Sequence, residues 1–171
     1  SYEGDWKASK AHGYGLHSWS NGDWYEGEWR DCVKDGVGIE NYSETKDVFI
    51  GEFSNGKPHG FGIYYYKNKT KFLGRLVNGH KHGIGILEIS NGHRYIGEFN
   101  DEQKEGRGCF VWASGNRYLG TFHKDKRHGR GVMTWTDGSC YVGDWADGIQ
   151  HGTGEMTFTD GREPKVGRFE N

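Results

Sequence analysis

Aromatic residues and glycines alternate along this chain in a pattern that recurs about every 23 residues. Each copy contains an aromatic-x-Gly-x-aromatic segment, as in Tyr95 to Phe99. Strict alternation over such a segment predicts a β-strand that buries one of its two faces. A Gly-x-Gly pair follows in each copy within a second alternating run, and polar residues separate the two runs. The pattern therefore predicts one β-hairpin for each copy.

The chain contains seven complete copies of this unit and the beginning of an eighth. The copies begin near Tyr2, Tyr25, Phe49, Phe72, Tyr95, Tyr118 and Tyr141, and the partial eighth begins near Lys165. Most copies close on a pair such as Asn21-Gly22, which is typical of hairpin turns in which both central residues have positive φ. The second and third copies lack that glycine, so we expect looser turns there. We expect residues 1–171 to form a single array.

Large side chains fall into two columns when the copies are aligned. One column contains Trp6, Trp29, Phe53, Leu76, Phe99, Phe122 and Trp145, and the other contains Trp19, Tyr42, Tyr66, Ile89, Trp112, Trp135 and Phe158. About three aromatic residues per copy provide on the order of 15 kcal/mol of burial, less than the cost of ordering the backbone of one copy. The copies must therefore stack, as they do in solenoids. The predicted fold class is all-β, an elongated single-layer antiparallel β-hairpin meander with an aromatic stripe on one face.

The glycine between two aromatic residues leaves a notch without a Cβ atom. We expect a ring from a neighbouring strand to lie flat in that notch.

Histidine precedes the Gly-x-Gly pair in five copies. Because the histidines recur at the same station rather than converging on one point, we expect each ring to hold its turn by a hydrogen bond.

Composition and charge narrow the possible functions. The chain has 30 glycines but only 2 prolines, and 15% of its residues are aromatic, which excludes collagen and intrinsic disorder. The net charge of −2 provides no basic field, so nucleic acid is not an expected partner. No apolar run is long enough to span a membrane as a helix. The chain starts at Ser1 and stops within a repeat, so we expect it to be a piece of a longer protein.

These motifs resemble the MORN (membrane occupation and recognition nexus) repeat, whose units look like YxGxWxxGxxHGxGxxxxxDG. The copies from Tyr118 to Gly138 and from Tyr141 to Gly161 are the most similar. The resemblance implies an elongated all-β array that acts as an interaction module. It also implies that an aromatic-lined face receives a partner peptide and that the ends of the array can mediate dimerisation.

The function predicted from these features is a non-catalytic scaffold or adaptor of cytoskeletal or membrane-associated assemblies, without a cofactor. We expect the protein in the cytoplasm, at the cytoskeleton or on the cytoplasmic face of membranes. A protein or peptide partner would lie along the aromatic stripe, and the chain could also form a homodimer. The predicted partner-binding residues are Trp19, Tyr42, Tyr64, Tyr66, Trp112, Trp135 and Phe158.

Two alternative functions and one candidate metal site follow from the same sequence. The chain could bind anionic phospholipid through Lys81, Lys124, Lys126 and Arg127. It could also be the accessory array of an enzyme whose catalytic domain lies outside this segment. Cys32, His80 and His82 are the candidate metal ligands, although the three cysteines of the chain show no zinc-binding spacing.

Overall fold

A computed structural model describes residues 1–170, and this part of the chain contains strands and no helix. The strands are β1 (Tyr2–Lys7), β2 (Lys10–Ser18), β3 (Trp24–Arg30), β4 (Val33–Tyr42), β5 (Asp47–Ser54), β6 (Lys57–Tyr65), β7 (Lys71–Val77), β8 (His80–Glu88), β9 (Arg94–Asn100), β10 (Gln103–Val111), β11 (Arg117–His123), β12 (Lys126–Thr134), β13 (Cys140–Ala146), β14 (Ile149–Thr157) and β15 (Lys165–Phe169). They follow chain order in an open antiparallel sheet. The predicted all-β hairpin meander is confirmed.

The chain divides into two compact units. The first unit covers Ser1–His82 and the second begins at Gly83. The first unit contains β1 to β7, the second contains β9 to β15, and β8 begins in the first and ends in the second. The single array over residues 1–171 stays a prediction.

One face of the sheet carries the core of each unit. Tyr25, at the start of β3, is completely buried and meets two rings edge-to-face. The Trp29 ring on the same strand lies 5.1 Å away, and the Phe53 ring of the next copy lies 4.8 Å away. Tyr95 and Tyr118 have the same environment in the second unit. Each copy therefore supplies the ring that covers its predecessor, which explains why the copies must stack.

The glycine notch is filled differently from the prediction. The Tyr95 ring folds along its own strand and covers Gly97 and, on the neighbouring strand, Gly108. Its hydroxyl donates a hydrogen bond to the Glu98 carbonyl at 2.9 Å. The expected ring from a neighbouring strand was wrong, because the first aromatic residue of the same strand already fills the notch. Phe49 does so over Gly51 without a hydroxyl.

The two kinds of turn also differ from the prediction. Asn21-Gly22 lies in a three-residue loop, closed by a bond from Trp19 N to the Asp23 carbonyl at 2.9 Å, in which Gly22 alone has positive φ. Turns with positive φ at both residues instead join the two strands of one hairpin, as at Asp31-Cys32 with φ of 48° and 68°. The predicted turn type at Asn21-Gly22 was wrong, because a three-residue loop needs only one left-handed residue.

The turn of the third copy is as tight as the glycine-containing turns. Lys69 takes the position of glycine with a φ of 67°, and the bond from Tyr66 N to the Thr70 carbonyl measures 2.9 Å. The looser turn expected there was wrong. In the second copy the loop has one more residue, and Lys46 N donates to the Tyr42 carbonyl at 2.8 Å.

Hydrogen bonds join successive hairpins at both edges of the sheet. At one edge the second turn residue donates to the preceding copy, as from Cys32 N to the Ala11 carbonyl at 2.9 Å. At the other edge the residue that follows the loop accepts from the next copy, as when Ser43 N donates to Asp23 Oδ1 at 2.6 Å. These bonds satisfy backbone groups at the turns and fix the spacing of the copies that carry the aromatic rings.

Candidate functional site

A second layer of rings lies on the same face as the buried tyrosines, and we call this the aromatic face. Its members are the seven predicted partner-binding residues Trp19, Tyr42, Tyr64, Tyr66, Trp112, Trp135 and Phe158. None of them is fully buried, and Trp19 has 37% of its surface exposed. The second layer packs on buried first-layer rings, as where the Tyr64 ring centre lies 4.9 Å from that of Phe49.

The buried tryptophans of the core have hydrogen bonds that the second-layer tryptophans lack. In the core, the indole N–H of Trp29 donates to the Gly15 carbonyl at 3.0 Å, and that of Trp145 donates to Gly131 at 3.3 Å. The indole N–H groups of Trp19, Trp112 and Trp135 have no acceptor among residues 1–170. The aromatic face therefore presents both ring surfaces and hydrogen-bond donors to a ligand.

In the first unit, three tyrosines form a stacked row on this face. Tyr42 stacks on Tyr64 at 6.2 Å and Tyr64 on Tyr66 at 5.3 Å, with interplanar angles of 13°. The hydroxyls are linked, since Tyr64 donates to Tyr42 at 3.2 Å and Tyr42 donates to Glu40 at 2.8 Å. Burial raises the pKa of Tyr42 and of Tyr64 above that of an ordinary phenol, which keeps both hydroxyls protonated.

A buried ion pair lies beside this row. Lys34 Nζ is hydrogen bonded to Glu40, and both side chains are almost fully shielded from solvent. The ammonium lies 5.5 Å from the ring centres of Tyr25 and Phe53, so it covers the core rings. Sequence reasoning missed this pair. The available signal was that Glu40 takes a station at which other copies have Tyr64, Phe110, Met133 or Met156.

In the second unit, Phe110, Trp112, Lys104 and Arg127 line a cavity of about 290 Å³. The Arg127 guanidinium lies 4.4 Å from the Trp145 ring centre and 5.6 Å from that of Trp112. Arg127 Nη2 also donates to the Gly148 carbonyl at 2.5 Å, and burial lowers the Arg127 pKa. The cavity combines apolar walls with fixed positive charge.

Two further cavities lie on the aromatic face. Trp135 and Phe158 line one in the second unit, where the Arg162 guanidinium lies 3.9 Å from the Phe158 ring centre. In the first unit, Trp19 and Trp6 line another of about 260 Å³. The structure thus places Trp19, Trp112 and Trp135 in three separate cavities.

The predicted lipid-contact residues have different surroundings in the two units. The Lys81 ammonium lies 5.6 Å from the Tyr66 ring centre, and Arg127 covers Trp145. Lys124 lies in a turn, and Lys126 pairs with Asp147 at 3.6 Å. Two of the four cations therefore cover rings of the aromatic face, while the other two lie at an edge of the sheet.

The candidate metal ligands lie at exposed positions of the sheet. Cys32 is exposed in its turn, and its Sγ accepts a hydrogen bond from Ala11 N at 3.3 Å. His80 and His82 are exposed on β8. Within the described part of the chain, no group of three or more His, Cys, Asp or Glu side chains is arranged to hold a metal ion.

The repeated histidines do not hold their own turns as expected. His59 Nδ1 accepts a hydrogen bond from Asn78 N at 3.4 Å, but Asn78 lies in the turn of the next copy. His12 Nδ1 is buried and has no hydrogen-bond partner among residues 1–170, so the prediction was wrong for His12. The turns are held instead by backbone bonds, which do not depend on the side chain at that station.

Sequence reasoning also missed a repeated role for acidic residues. Asp144 Oδ2 accepts a hydrogen bond from Thr153 N at 3.0 Å, and Glu98 Oε1 accepts from Arg107 N at 3.1 Å. Each carboxylate lies against the first glycine of a Gly-x-Gly pair, where the chain has positive φ. The recurrence of an acid after the central glycine in most copies was the available signal.

Comparison with curated proteins finds a partial match. The chain is 36% identical over 70 residues to Alsin of Homo sapiens and to Alsin of Mus musculus. The match covers 39% of this chain and only 4% of the length of Alsin.

Among residues 1–170, no helix is long and apolar enough to cross a membrane.

Comparison with solved structures finds similar folds at low sequence identity. The SAS-4 (dCPAP) TCP domain of Drosophila melanogaster, solved in complex with a proline-rich motif of Ana2 (dSTIL), has a TM-score of 0.55 at 16% identity. That match covers 92% of this chain and 85% of the other. The G-box domain of the microcephaly protein CPAP has a TM-score of 0.52 at 15% identity, covering 90% and 86%. These similarities concern the fold.

The family model of the MORN repeat matches seven successive segments. They are residues 2–24, 25–43, 49–71, 72–94, 95–117, 118–140 and 141–161. Each segment begins at the first aromatic residue of a copy, which lies within the first three residues of a strand. Because these matches cover most of the sequence, the chain belongs to the MORN repeat family.

Proposed function

We propose that this chain is a non-catalytic protein-interaction scaffold or adaptor whose aromatic face binds an extended peptide. The observation that carries the proposal is the set of half-buried tryptophans Trp19, Trp112 and Trp135, whose indole N–H groups have no acceptor among the described residues. Exposed rings beside fixed cations are typical of surfaces that bind peptides. An indole N–H can donate to a peptide carbonyl while its ring packs on the peptide side chains.

The spacing of the copies favours a proline-rich peptide. Neighbouring strands lie about 4.8 Å apart, so a ligand that crosses two strands advances by about 9.6 Å, close to the roughly 9.3 Å of one polyproline II turn. Every third residue of such a peptide would then meet the same station in successive copies. The similar fold of the SAS-4 TCP domain, which was solved with a proline-rich motif, supports this choice.

The charge at the second-unit cavity favours an acidic residue beside the prolines. Lys104, Lys126 and Arg127 line this cavity with one acid, Asp125. Lys104 pairs with Asp125 at 2.8 Å and Lys126 pairs with Asp147 at 3.6 Å, which leaves the positive charge of Arg127. A peptide that carries both prolines and carboxylates therefore complements the cavity better than a neutral one.

The test is a titration of the 171-residue chain with a synthetic peptide of about twelve residues, or four polyproline II turns, with proline at every third position and interspersed glutamates. We expect calorimetry to detect binding that the double variant Trp112→Ser, Trp135→Ser loses. Val142→Ser is the matched control, because Val142 is 44% exposed on the opposite face. Equal affinity of the double variant and the wild type would contradict the proposal.

The proposed cellular setting is the cytoskeleton or the cytoplasmic face of membranes. The proteins of similar fold support the first, since the CPAP G-box structure carries a suggested role in centriole elongation. A fluorescent fusion of the chain should localise to a cytoskeletal structure and become diffuse in the Trp112→Ser, Trp135→Ser variant. If the double variant localised as the wild type does, localisation would not depend on the aromatic face.

A further inference from the structure

The face opposite the aromatic face carries a broad apolar patch in the first unit. Its central row runs across four strands as the cross-strand neighbours Ile39, Ile50, Ile63 and Leu73. On one side of this row lie Val37 and Phe61, which are 56% and 62% exposed. Tyr65 lies on the other side at 43% exposure. We call these seven residues the outer patch.

The second unit shows that the fold does not require this patch. Its central row is also apolar, with Ile96, Leu119 and Val142 at 40–49% exposure. At the Gly-x-Gly station, however, the second unit has Arg107, Arg130 and Thr153 besides one apolar residue, Ile84, whereas the first unit has Tyr14, Val37 and Phe61. Arginine at this station is therefore compatible with the hairpin. The exposed apolar residues of the first unit thus need another explanation, and large apolar patches usually mark interaction sites.

We propose that the outer patch binds the outer patch of a second copy of this chain, face to face, in a two-fold symmetric dimer. Two pleated faces with alternating large side chains pack about 10 Å apart in β-sandwiches. The seven half-exposed side chains present roughly 550 Å² per copy, so two patches bury about 1,100 Å² of apolar surface. The charged residues at the borders of the patch bring the interface into the range of about 1,200–2,000 Å² for stable complexes.

Opposite charges on the two borders of the outer patch favour a second copy as the occupant. Glu26 and Glu28 lie on β3 at one border, and Lys71 and Arg75 lie on β7 at the other. Glu28 and Arg75 take the same station of the repeat, each directly after the central glycine. A two-fold axis along β5 would place Arg75 of one copy over Glu28 of the other, twice in each dimer.

The same axis places one unfavourable pair together. Glu52 lies on β5, and its side chain folds against Gly60. The two copies would bring their Glu52 carboxylates close at the axis, where like charges repel. Replacement by glutamine keeps an acceptor oxygen and removes the repulsion, so Glu52→Gln should tighten this dimer.

The test is sedimentation equilibrium of the 171-residue chain from about 1 to 200 µM, because interfaces of this size bind with micromolar or better affinity. We expect a concentration-dependent dimer that Phe61→Arg weakens at least about tenfold. The variant should fold, because arginine occupies the same station at Arg107 and Arg130. Leu119→Arg is the matched control: Leu119 is 49% exposed outside the patch, and its variant should dimerise normally.

Charge exchange tests the arrangement itself. Arg75→Glu alone should weaken the dimer, and Glu28→Arg combined with Arg75→Glu should restore it. A chain that stays monomeric at every concentration, or a dimer that Phe61→Arg leaves intact, would overturn the proposal and assign the patch to a different protein. Peptide binding on the aromatic face should persist in Phe61→Arg, so failure here is distinguishable from failure of the proposed function.

Discussion

The ring of Tyr95 covers Gly108 so closely that a Cβ atom added at Gly108 would lie 2.5 Å from Tyr95 Cε2. The ring cannot move aside easily, because Phe99 and Phe122 hold it edge-to-face at centroid distances of 5.1 Å. Gly108 does not have positive φ, so the requirement for glycine at this position is steric.

We therefore expect Gly108→Ala to lower the free energy of unfolding by about 3 kcal/mol, because inserting a methyl group into a packed core forces side chains to shift. Urea unfolding measures the change. Gly167→Ala is the matched control, since an added Cβ there meets nothing within 4 Å. Equal stability of the two variants would show that the Tyr95 ring adapts at little cost.

The buried pair of Lys34 and Glu40 makes a second prediction. Glu40→Met leaves the Lys34 ammonium buried without its counterion, which should cost about 3 kcal/mol. The double variant Lys34→Gln, Glu40→Met reproduces the Gln150 and Met156 combination of the seventh copy. We expect the double variant to recover most of the lost stability in urea unfolding. If the single and double variants were equally destabilised, the loss of stability would not arise from the unpaired Lys34 charge.

The positions of the strands and rings could be predicted from the sequence because both arise from local alternation. A period of two puts Tyr95, Gly97 and Phe99 on one face, whatever the rest of the fold does. The copies recur, so their stacking followed from the weakness of a single hairpin. The second-layer rings, including Trp112, were accordingly placed on the correct face.

Other features required the three-dimensional structure. Nothing local distinguishes the turn at Asp31-Cys32, because its positive φ values arise from strand twist rather than from glycine. The Lys34–Glu40 pair was missed because two polar residues on a buried face look like solvent-exposed positions. The outer patch was missed because exposure of Phe61 depends on the opposite face of the sheet having no covering layer.

The left-handed turn residues provide a third prediction. Ala8 and Ser9 have φ values of 49° and 61°, whereas Asn55-Gly56 occupies the same station with residues that favour such values. Ala8→Asn with Ser9→Gly should stabilise the first hairpin by about 1 kcal/mol. The reciprocal exchange, Asn55→Ala with Gly56→Ser, should destabilise by a similar amount. Thermal unfolding of both double variants measures the direction of each change in stability. If both variants shifted the unfolding temperature in the same direction, the argument would be refuted.

The last prediction concerns acid. The hydrogen bond from Ser43 N, and then that from Asn21, hold the pKa of Asp23 below its ordinary value of 3.8. A carboxylate with a depressed pKa stabilises the fold above that ordinary value, and the contribution is lost as the pH falls through the folded-state pKa. The protein should therefore lose stability on acidification from about pH 5 to pH 2.5.

Asp23→Asn isolates the Asp23 contribution. Asn116 occupies the same station in the fifth copy and accepts a hydrogen bond from Thr136 N at 3.1 Å without a charge. The variant should thus retain an acceptor for Ser43 N while losing the titration. We expect its urea midpoint to fall less than that of the wild type between the two pH values, since the other carboxylates contribute equally to both proteins. Parallel decreases would mean that Asp23 binds its proton equally well in the folded and unfolded chain.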